Sequence, residues 1–148
     1  MMKRENYQLT AHFSYNEMTR SAWAEHNHVS NDPDKLQLAA LTNLCRVLLE
    51  PLRSKFGPIR INSAFRSPLV NEGVHGVGAS KHLSGEAVDI HVPDLETGRA
   101  YFRFIVNNID YDQVLFEHRR DGAMWLHCSV CLDSIENRHQ SFPNYRVK

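Results

Sequence analysis

The chain has 148 residues, and its 17 lysines and arginines balance 17 aspartates and glutamates, so the formal net charge is zero when the nine histidines are neutral. With 42% hydrophobic and 23% charged residues, the composition is that of a globular protein and excludes a disordered tail or a disulfide-stapled miniprotein. The balanced charge also argues against a nucleic-acid partner.

We expect one domain over residues 1–148, with a core at about 13–132 and a tail at 133–148 to which the sequence assigns no element. No apolar stretch is long enough to span a membrane. The N-terminus carries Lys3, Arg4 and Glu5 with no apolar run behind them, so we expect no signal peptide and synthesis in the cytoplasm. We also expect a monomer.

Two helices are predicted in the first third of the chain. A capping box at residues 14–17 predicts a helix that runs to about Glu25. Asp32-Pro33 predicts the start of a longer helix, with Asp32 as N-cap and apolar residues at helical spacing behind it. Because Pro51 lies inside that pattern, we expect a kink or break between Val47 and Glu50.

The rest of the chain reads mainly as strands. In chain order the sequence predicts a strand over 59–65, a glycine-rich loop over 69–80, a strand over 86–92, a helix over 95–108 capped by Asp94, and strands over 113–117 and 124–132 joined by a turn at Asp121-Gly122. Helices followed by a small, mostly antiparallel sheet indicate an α+β domain.

The densest group of reactive side chains lies between Ser80 and Asp89. His82 offers an imidazole, Asp89 offers a carboxylate seven residues later, and Gly85 allows a turn that would bring the two together around a metal ion. Catalytic zinc takes three protein ligands, and the candidate for the third is His127.

Strand periodicity places His127 on a polar face. Alternation puts Trp125, His127, Ser129 and Cys131 on one side of their strand and Cys128 on the other. The same alternation argues against Cys128 and Cys131 as a zinc or redox pair.

Four blocks of sequence stand out between about residues 13 and 129. They are Ser63-Ala64-Phe65-Arg66-Ser67-Pro68, Ser80-x-His82-x-x-Gly85-x-Ala87-x-Asp89, Asp112-Gln113-Val114-Leu115-Phe116-Glu117 and Trp125-x-His127-x-Ser129. Together these blocks resemble the zinc D-alanyl-D-alanine carboxypeptidase family. That family includes phage cell-wall endopeptidases and shares its fold with the signalling domain of hedgehog proteins.

The resemblance implies a small, mostly antiparallel sheet packed against the N-terminal helices, with one zinc ion per chain. It assigns the zinc ligands to His82, Asp89 and His127. It implies that Glu117 is the general base that activates a water molecule, and that Arg66 orients the substrate and stabilises the oxyanion. Ser80 and Trp125 are the remaining substrate-binding candidates. Ser80 is equally able to cap the loop before His82, and Trp125 to belong to the core.

Glu117 departs from the spacing of better-known members, which place the catalytic glutamate three residues before the last histidine rather than ten. A hairpin between the last two predicted strands would still bring Glu117 close to His127. His118 is the alternative base, although it lies on the opposite face of the same strand. His91 shares a face with Asp89, and its role as a neighbour of the site or a substitute ligand stays open.

The sequence therefore favours a zinc metallopeptidase acting on the stem peptides of peptidoglycan or on its precursors. Removal of a terminal D-alanine and cleavage within the peptide both stay open. The alternatives are a zinc-stabilised binding module of the same fold without turnover, and a hydrolase of some other small peptide or amide. Without a signal peptide, access to the cell wall would require an endolysin-like, phage-type release.

Overall fold

The computed structural model describes residues 6–147, so Lys3, Arg4 and Glu5 lie outside the described part. The chain forms six α-helices and seven strands among these residues. In order they are β1 (Gln8–Thr10), β2 (Phe13–Ser14), α1 (Tyr15–Thr19), α2 (Ala22–His26), α3 (Lys35–Leu44), a π-helical segment (Cys45–Leu49), α4 (Glu50–Phe56), β3 (Ile61–Ser63), α5 (Pro68–Gly73), a 3₁₀ turn (Lys81–Ser84), β4 (Ala87–His91), α6 (Leu95–Asn108), β5 (Gln113–Arg119), β6 (Met124–Ser129), a second 3₁₀ turn (Ser134–Glu136) and β7 (Gln140–Val147).

Five strands form the main sheet, in the order β3-β4-β6-β5-β7. The first three pairings are antiparallel and the last, between β5 and β7, is parallel. Helices precede a mostly antiparallel sheet, so the predicted α+β class is confirmed. No helix within residues 6–147 is long and apolar enough to cross a membrane.

One face of the sheet is the main core. Alternate residues of the three central strands point to this face, where they pack with apolar residues of α3, the π-helical segment and α4. Each of these strand residues is at most 1% exposed: Val88 and Ile90 in β4, Val114 and Phe116 in β5, and Leu126 and Cys128 in β6. The other face is therefore free to carry polar side chains.

The first predicted helix is wrong in its middle, because the chain leaves the helical conformation at Arg20. The Ser14 hydroxyl caps α1 by accepting from the Glu17 amide at 3.2 Å. The Ser21 hydroxyl then starts α2 by accepting from the Ala24 amide at 3.1 Å. Two short capped helices thus replace one, since Ser21 competes for the backbone in the middle of the predicted span.

The second predicted helix begins two residues later than expected. Asp34, not Asp32, is its N-cap, with the Asp34 carboxylate accepting from the Gln37 amide and the Gln37 side chain accepting from the Asp34 amide, each at 2.8 Å. A full capping box satisfies two amides instead of one, which explains why the helix starts there.

The break predicted before Pro51 is confirmed, and it takes the form of a π-helical segment over Cys45–Leu49. The Glu50 amide donates to the Cys45 carbonyl, one residue further back than in an α-helix. Widening the helix here accommodates the missing amide hydrogen and the bulk of the proline ring. The helix then continues as α4.

Gly98 is the point where α6 packs most closely on the sheet. A Cβ atom there would lie 2.8 Å from Cε2 of Phe116 and closer still to Cζ. Phe116 is buried, so its ring has little room to move away.

We predict that Gly98→Ala lowers the free energy of unfolding by about 1–2 kcal/mol. Alanine gains about 1 kcal/mol in helix propensity, but overpacking of a tight core costs about 1–3 kcal/mol, and such short contacts with a buried ring place the cost at about 2–3 kcal/mol. Urea unfolding followed by circular dichroism measures the difference. Gly78→Ala is the matched control, because a Cβ at Gly78 meets nothing within 4 Å. A Gly98→Ala protein as stable as the parent would contradict this packing.

Candidate metal centre and active-site cleft

The strand register brings Asp89 and His127 together on the open face of the sheet. They are direct neighbours across β4 and β6, and direct neighbours in an antiparallel pair share a face. The Nδ1 atom of His127 lies 3.0 Å from Oδ1 of Asp89. Both side chains are mostly buried, with 18% and 14% of their surface exposed.

His82 reaches the same point from the 3₁₀ turn. Its Nδ1 donates to the Ala64 carbonyl at 2.6 Å, and because a carbonyl only accepts, the proton is fixed on Nδ1. Nε2 is then left facing Oδ2 of Asp89 at 3.3 Å. A second partner that fixes the histidine tautomer in this way is typical of metal ligands.

Gly85 ends the turn in a left-handed conformation, with φ at +79°. A Cβ atom at this position would also collide with the Gln37 carbonyl of α3. Glycine is therefore required both for the backbone conformation and for the close approach to α3. This turn directs the chain from His82 into β4 and hence to Asp89.

The cluster of His82, Asp89 and His127 fits a metal ion. One potential ligand atom from each residue lies within 4.8 Å of the other two. Two imidazole nitrogens and a carboxylate oxygen form a three-ligand set of the kind found in catalytic zinc sites.

Electrostatics within the cluster favours the charged carboxylate. Burial opposes ionisation of Asp89, but the nearby imidazoles of His82 and His127 outweigh burial and hold its pKa well below the usual range. Burial likewise acts to lower the pKa of His127, and the Asp89 and Glu117 carboxylates outweigh it and raise this pKa.

Arg66 lies beside the cluster and is held on three sides. Its guanidinium donates to Oδ2 of Asp89 at 3.3 Å, to the Ser63 hydroxyl at 3.2 Å and to Oδ1 of Asn71 at 3.4 Å. The sequence analysis missed Asn71, a buried residue of α5 that also donates to the Val77 carbonyl at 2.9 Å. Asn71 thus positions both Arg66 and the glycine-rich loop. The sequence predicts a glycine-rich loop over 69–80, whereas its first part is helical in α5; the available signal was Ser67-Pro68, an N-cap residue followed by a proline in the first turn.

Glu117 lies on the same face of the sheet as His127. It is the direct neighbour of Trp125, while Leu115, two residues earlier, is the direct neighbour of His127. Burial raises the pKa of Glu117, the His127 imidazole opposes this rise, and the Asp89 carboxylate adds to it. His118 points to the other face, away from the cluster.

A cleft of about 810 Å³ joins these residues. The predicted site residues that line it are Arg66, Ser80, His82, Asp89, Glu117, Trp125 and His127. The Ser80 hydroxyl accepts from the His82 amide at 3.2 Å, so Ser80 caps the 3₁₀ turn as well as lining the cleft. His91 lies outside the three-residue cluster and lines a neighbouring groove.

The C-terminal tail forms one wall of this cleft, which the sequence analysis did not anticipate. Tyr145 of β7 is the direct neighbour of Glu117 in β5, and both line the cleft together with Arg138. The register shifts between Leu115 and Glu117. Phe142 pairs with Leu115 and Tyr145 pairs with Glu117, so β7 advances three residues where β5 advances two. This extra residue breaks the strand period and hides β7 from pattern analysis.

An ion pair between the buried carboxylate of Asp112 and the half-exposed guanidinium of Arg138 attaches the tail to the sheet. The carboxylate of Asp112 accepts from Nε and Nη2 of Arg138, each at 2.8 Å, from the Arg138 amide at 3.0 Å and from the Ser129 hydroxyl at 2.9 Å. Burial opposes ionisation of Asp112, but its hydrogen bonds, chiefly from Arg138, outweigh burial and lower its pKa. We call Asp112, Ser129 and Arg138 the tail clamp.

Comparison with known protein families identifies a match over most of the chain. The sequence profile of the family described as Peptidase M15 matches residues 11–129. No curated protein matches the chain. The matched segment contains the His82, Asp89 and His127 cluster, Arg66 and Glu117, and it ends before Arg138 and β7.

We predict that Arg138→Met lowers the free energy of unfolding by about 1–3 kcal/mol, because it leaves the buried Asp112 carboxylate without its charged partner. Amide hydrogen exchange should show lost protection in β7. Arg46→Met is the matched control, since Arg46 is exposed and its side chain bonds only to Asn43. Unchanged stability and unchanged protection of β7 would contradict the tail clamp.

The stability difference between the parent and Arg138→Met should depend on pH. Because the native pKa of Asp112 is lowered, its contribution is fully present above the unfolded value of about 3.9 and is lost as the pH falls toward the native value. We therefore expect the difference to be constant between about pH 5 and 7 and to shrink below about pH 4. Urea unfolding at a series of pH values measures it, and a difference that grows on acidification would contradict this account.

Proposed function

This chain belongs to the peptidase M15 family, and we propose that it is a zinc-dependent peptidase that hydrolyses a peptide bond in the stem peptides of peptidoglycan or its precursors. The proposal rests on the position of Glu117. Its carboxylate lines the same cleft as the cluster of His82, Asp89 and His127. A binding module would need the cluster alone, whereas hydrolysis also needs a proton acceptor next to it.

His82, Asp89 and His127 are the residues that would hold one zinc ion per chain. Zinc bound there would polarise the scissile carbonyl and lower the pKa of a water molecule. The hydrogen bond from His82 to Ala64 supports this assignment, because it leaves Nε2 of His82 free for a ligand bond.

Glu117 moves the proton in the proposed reaction. It accepts a proton from the attacking water as the water oxygen bonds to the carbonyl carbon. It then donates that proton to the amine nitrogen as the carbon–nitrogen bond breaks. Its burial supports both steps. Burial raises the pKa of the Glu117 carboxyl group, and a higher pKa makes it easier for the carboxylate to hold the proton between the two steps near neutral pH.

Arg66 stabilises the negative charge that develops on the carbonyl oxygen. Its contacts with Ser63, Asn71 and Asp89 fix the guanidinium before the substrate arrives, which is the condition for electrostatic stabilisation of a transition state. Ser80 and Trp125, which also line the cleft, are proposed to contact the peptide backbone of the substrate.

The cleft suits a short peptide. Its volume lies in the range of small-ligand sites, and its lining carries side chains of both charges, including Arg66 and Lys81 beside Asp89 and Glu117. The family resemblance directs this preference to peptidoglycan stem peptides.

We predict that Glu117→Gln lowers turnover by about 10²- to 10⁴-fold while one zinc ion per chain is still bound. The assay incubates zinc-loaded protein with peptidoglycan and synthetic stem peptides and identifies the products by mass spectrometry. Release of D-alanine would identify a carboxypeptidase, and internal cleavage an endopeptidase. Glu25→Gln, which removes an exposed carboxylate far from the cleft, is the matched control. Bound zinc with no turnover of any wall peptide would overturn the proposal and favour the binding module or another substrate.

We predict that His127→Ala abolishes stoichiometric zinc binding, because two ligands remain where a catalytic site uses three. Equilibrium dialysis followed by elemental analysis gives the stoichiometry. Zinc should also raise the melting temperature of the parent protein and leave that of His127→Ala unchanged. His26→Ala, at the exposed end of α2, should behave like the parent. Full zinc occupancy in His127→Ala would contradict the assigned ligand set.

A further inference from the structure

A second pocket, of about 770 Å³, lies on the face of the sheet opposite the metal cluster. Phe116 and His118 of β5 contribute to it, whereas Glu117 between them points into the active-site cleft. Its walls come from α6, from the β5–β6 hairpin and from β7. Five arginines line it: Arg99 and Arg103 of α6, Arg119 and Arg120 at the hairpin, and Arg146 of β7. We call it the arginine pocket.

The charge in this pocket is mostly uncompensated. Arg119 is paired with Asp121 at 3.1 Å and lies over the Trp125 ring. The other four arginines form no ion pair with any residue of 6–147, and no Asp or Glu of that range is among the lining residues. Four arginines without an ion pair in this range thus line one cavity in a protein of zero net charge.

The floor of the pocket is apolar and aromatic. His118 stacks on the buried ring of Phe116, with centroids 4.5 Å apart, and Phe102 of α6 completes the floor. Burial lowers the pKa of His118, and Arg146 and Arg99 lower it further. Guanidinium groups from α6 and β7 therefore act on the same ring.

We propose that the arginine pocket is a binding site for a small ligand that carries two or more phosphate groups. A guanidinium group matches the geometry of phosphate oxygens and binds them through two parallel hydrogen bonds. Arginines on three sides of one cavity suit a ligand with several phosphates better than one with a single charge. The cavity has the volume of a small-molecule site, and the aromatic floor would contact the uncharged part of such a ligand.

The shape of the site favours a small ligand over a nucleic acid. Sequence-independent binding of nucleic acid uses a charged groove that follows the backbone, with exposed aromatic rings for the bases to stack on. Here the arginines surround a single cavity, and the Phe116 ring in its floor is buried rather than exposed. The proposal is independent of the peptidase activity, because no residue of the metal cluster lines this pocket.

The experiment is a titration of the full chain with inorganic pyrophosphate and, separately, with a nucleoside diphosphate, followed through the NMR resonances of the arginine Nε–H groups. We expect saturable shifts at Arg99, Arg103 and Arg146 and none at Arg60, which is exposed outside the pocket. The double variant Arg99→Gln/Arg146→Gln should bind about tenfold more weakly or worse. The double variant Arg46→Gln/Arg60→Gln removes the same charge elsewhere and should bind like the parent.

Either phosphate source supports the proposal. Tighter binding of the nucleoside diphosphate would identify an organic diphosphate, and equal binding would identify phosphate itself as the recognised group. Four results would overturn it. The first two are shifts no larger than those caused by sodium chloride at equal ionic strength, and an equal loss of affinity in the two double variants. The other two are shifts confined to Trp125 on the active-site face, and binding of a DNA duplex or anionic vesicles through these arginines without a response to pyrophosphate.

Discussion

The carboxylate of Asp89 is the interaction on which the site depends. It belongs to a central strand and is largely buried, and a buried charge is tolerated only when it is paired. Three side chains from separate parts of the chain surround it: Arg66 before α5 and His127 in β6 donate hydrogen bonds to it, and Nε2 of His82 in the 3₁₀ turn lies 3.3 Å from it. The position of this carboxylate therefore links the loop after β3, the turn before β4 and the register of β6. The contacts around the Asp89 carboxylate therefore bring together the three residues of the candidate metal centre.

The faces of the sheet could be predicted from the sequence because they depend on the two-residue period of strands, whereas His82 lies in a 3₁₀ turn and was proposed from its spacing to Asp89 and from the family resemblance. Alternation places His127 and Trp125 on one face of β6 and Cys128 on the other, and the structure has the same arrangement. Pro51 predicted the irregular segment of the second helix, because the loss of its amide hydrogen disturbs helical hydrogen bonding locally. The prediction of one continuous first helix was wrong, because a serine such as Ser21 can lie within a helix or cap the start of another. Only tertiary contacts decide between the two.

Other features depend on contacts that no local pattern reports. Asn71 positions Arg66 through a hydrogen bond between a helix and the loop before it, and β7 is attached by Arg138 to a carboxylate 26 residues earlier. Composition was equally silent about the arginine pocket. A net charge of zero is compatible both with evenly distributed charges and with charges concentrated in one region. In this chain the fold brings together arginines from α6, the hairpin and β7. An argument from total charge against anionic partners therefore applies to the average surface and not to each part of it.

The position of β7 at the end of the sheet has a consequence for self-association. An eight-residue strand at an open edge offers unpaired backbone groups to a second chain, and such edges promote aggregation. Here Pro143 lies within the strand and has no amide hydrogen, and the register shift beside it disturbs the regular spacing of the ladder. The irregularity that makes β7 hard to recognise in the sequence thus also makes it a poor template for another copy. The opposite edge, β3, is only three residues long, so neither border of the sheet presents a long, regular strand.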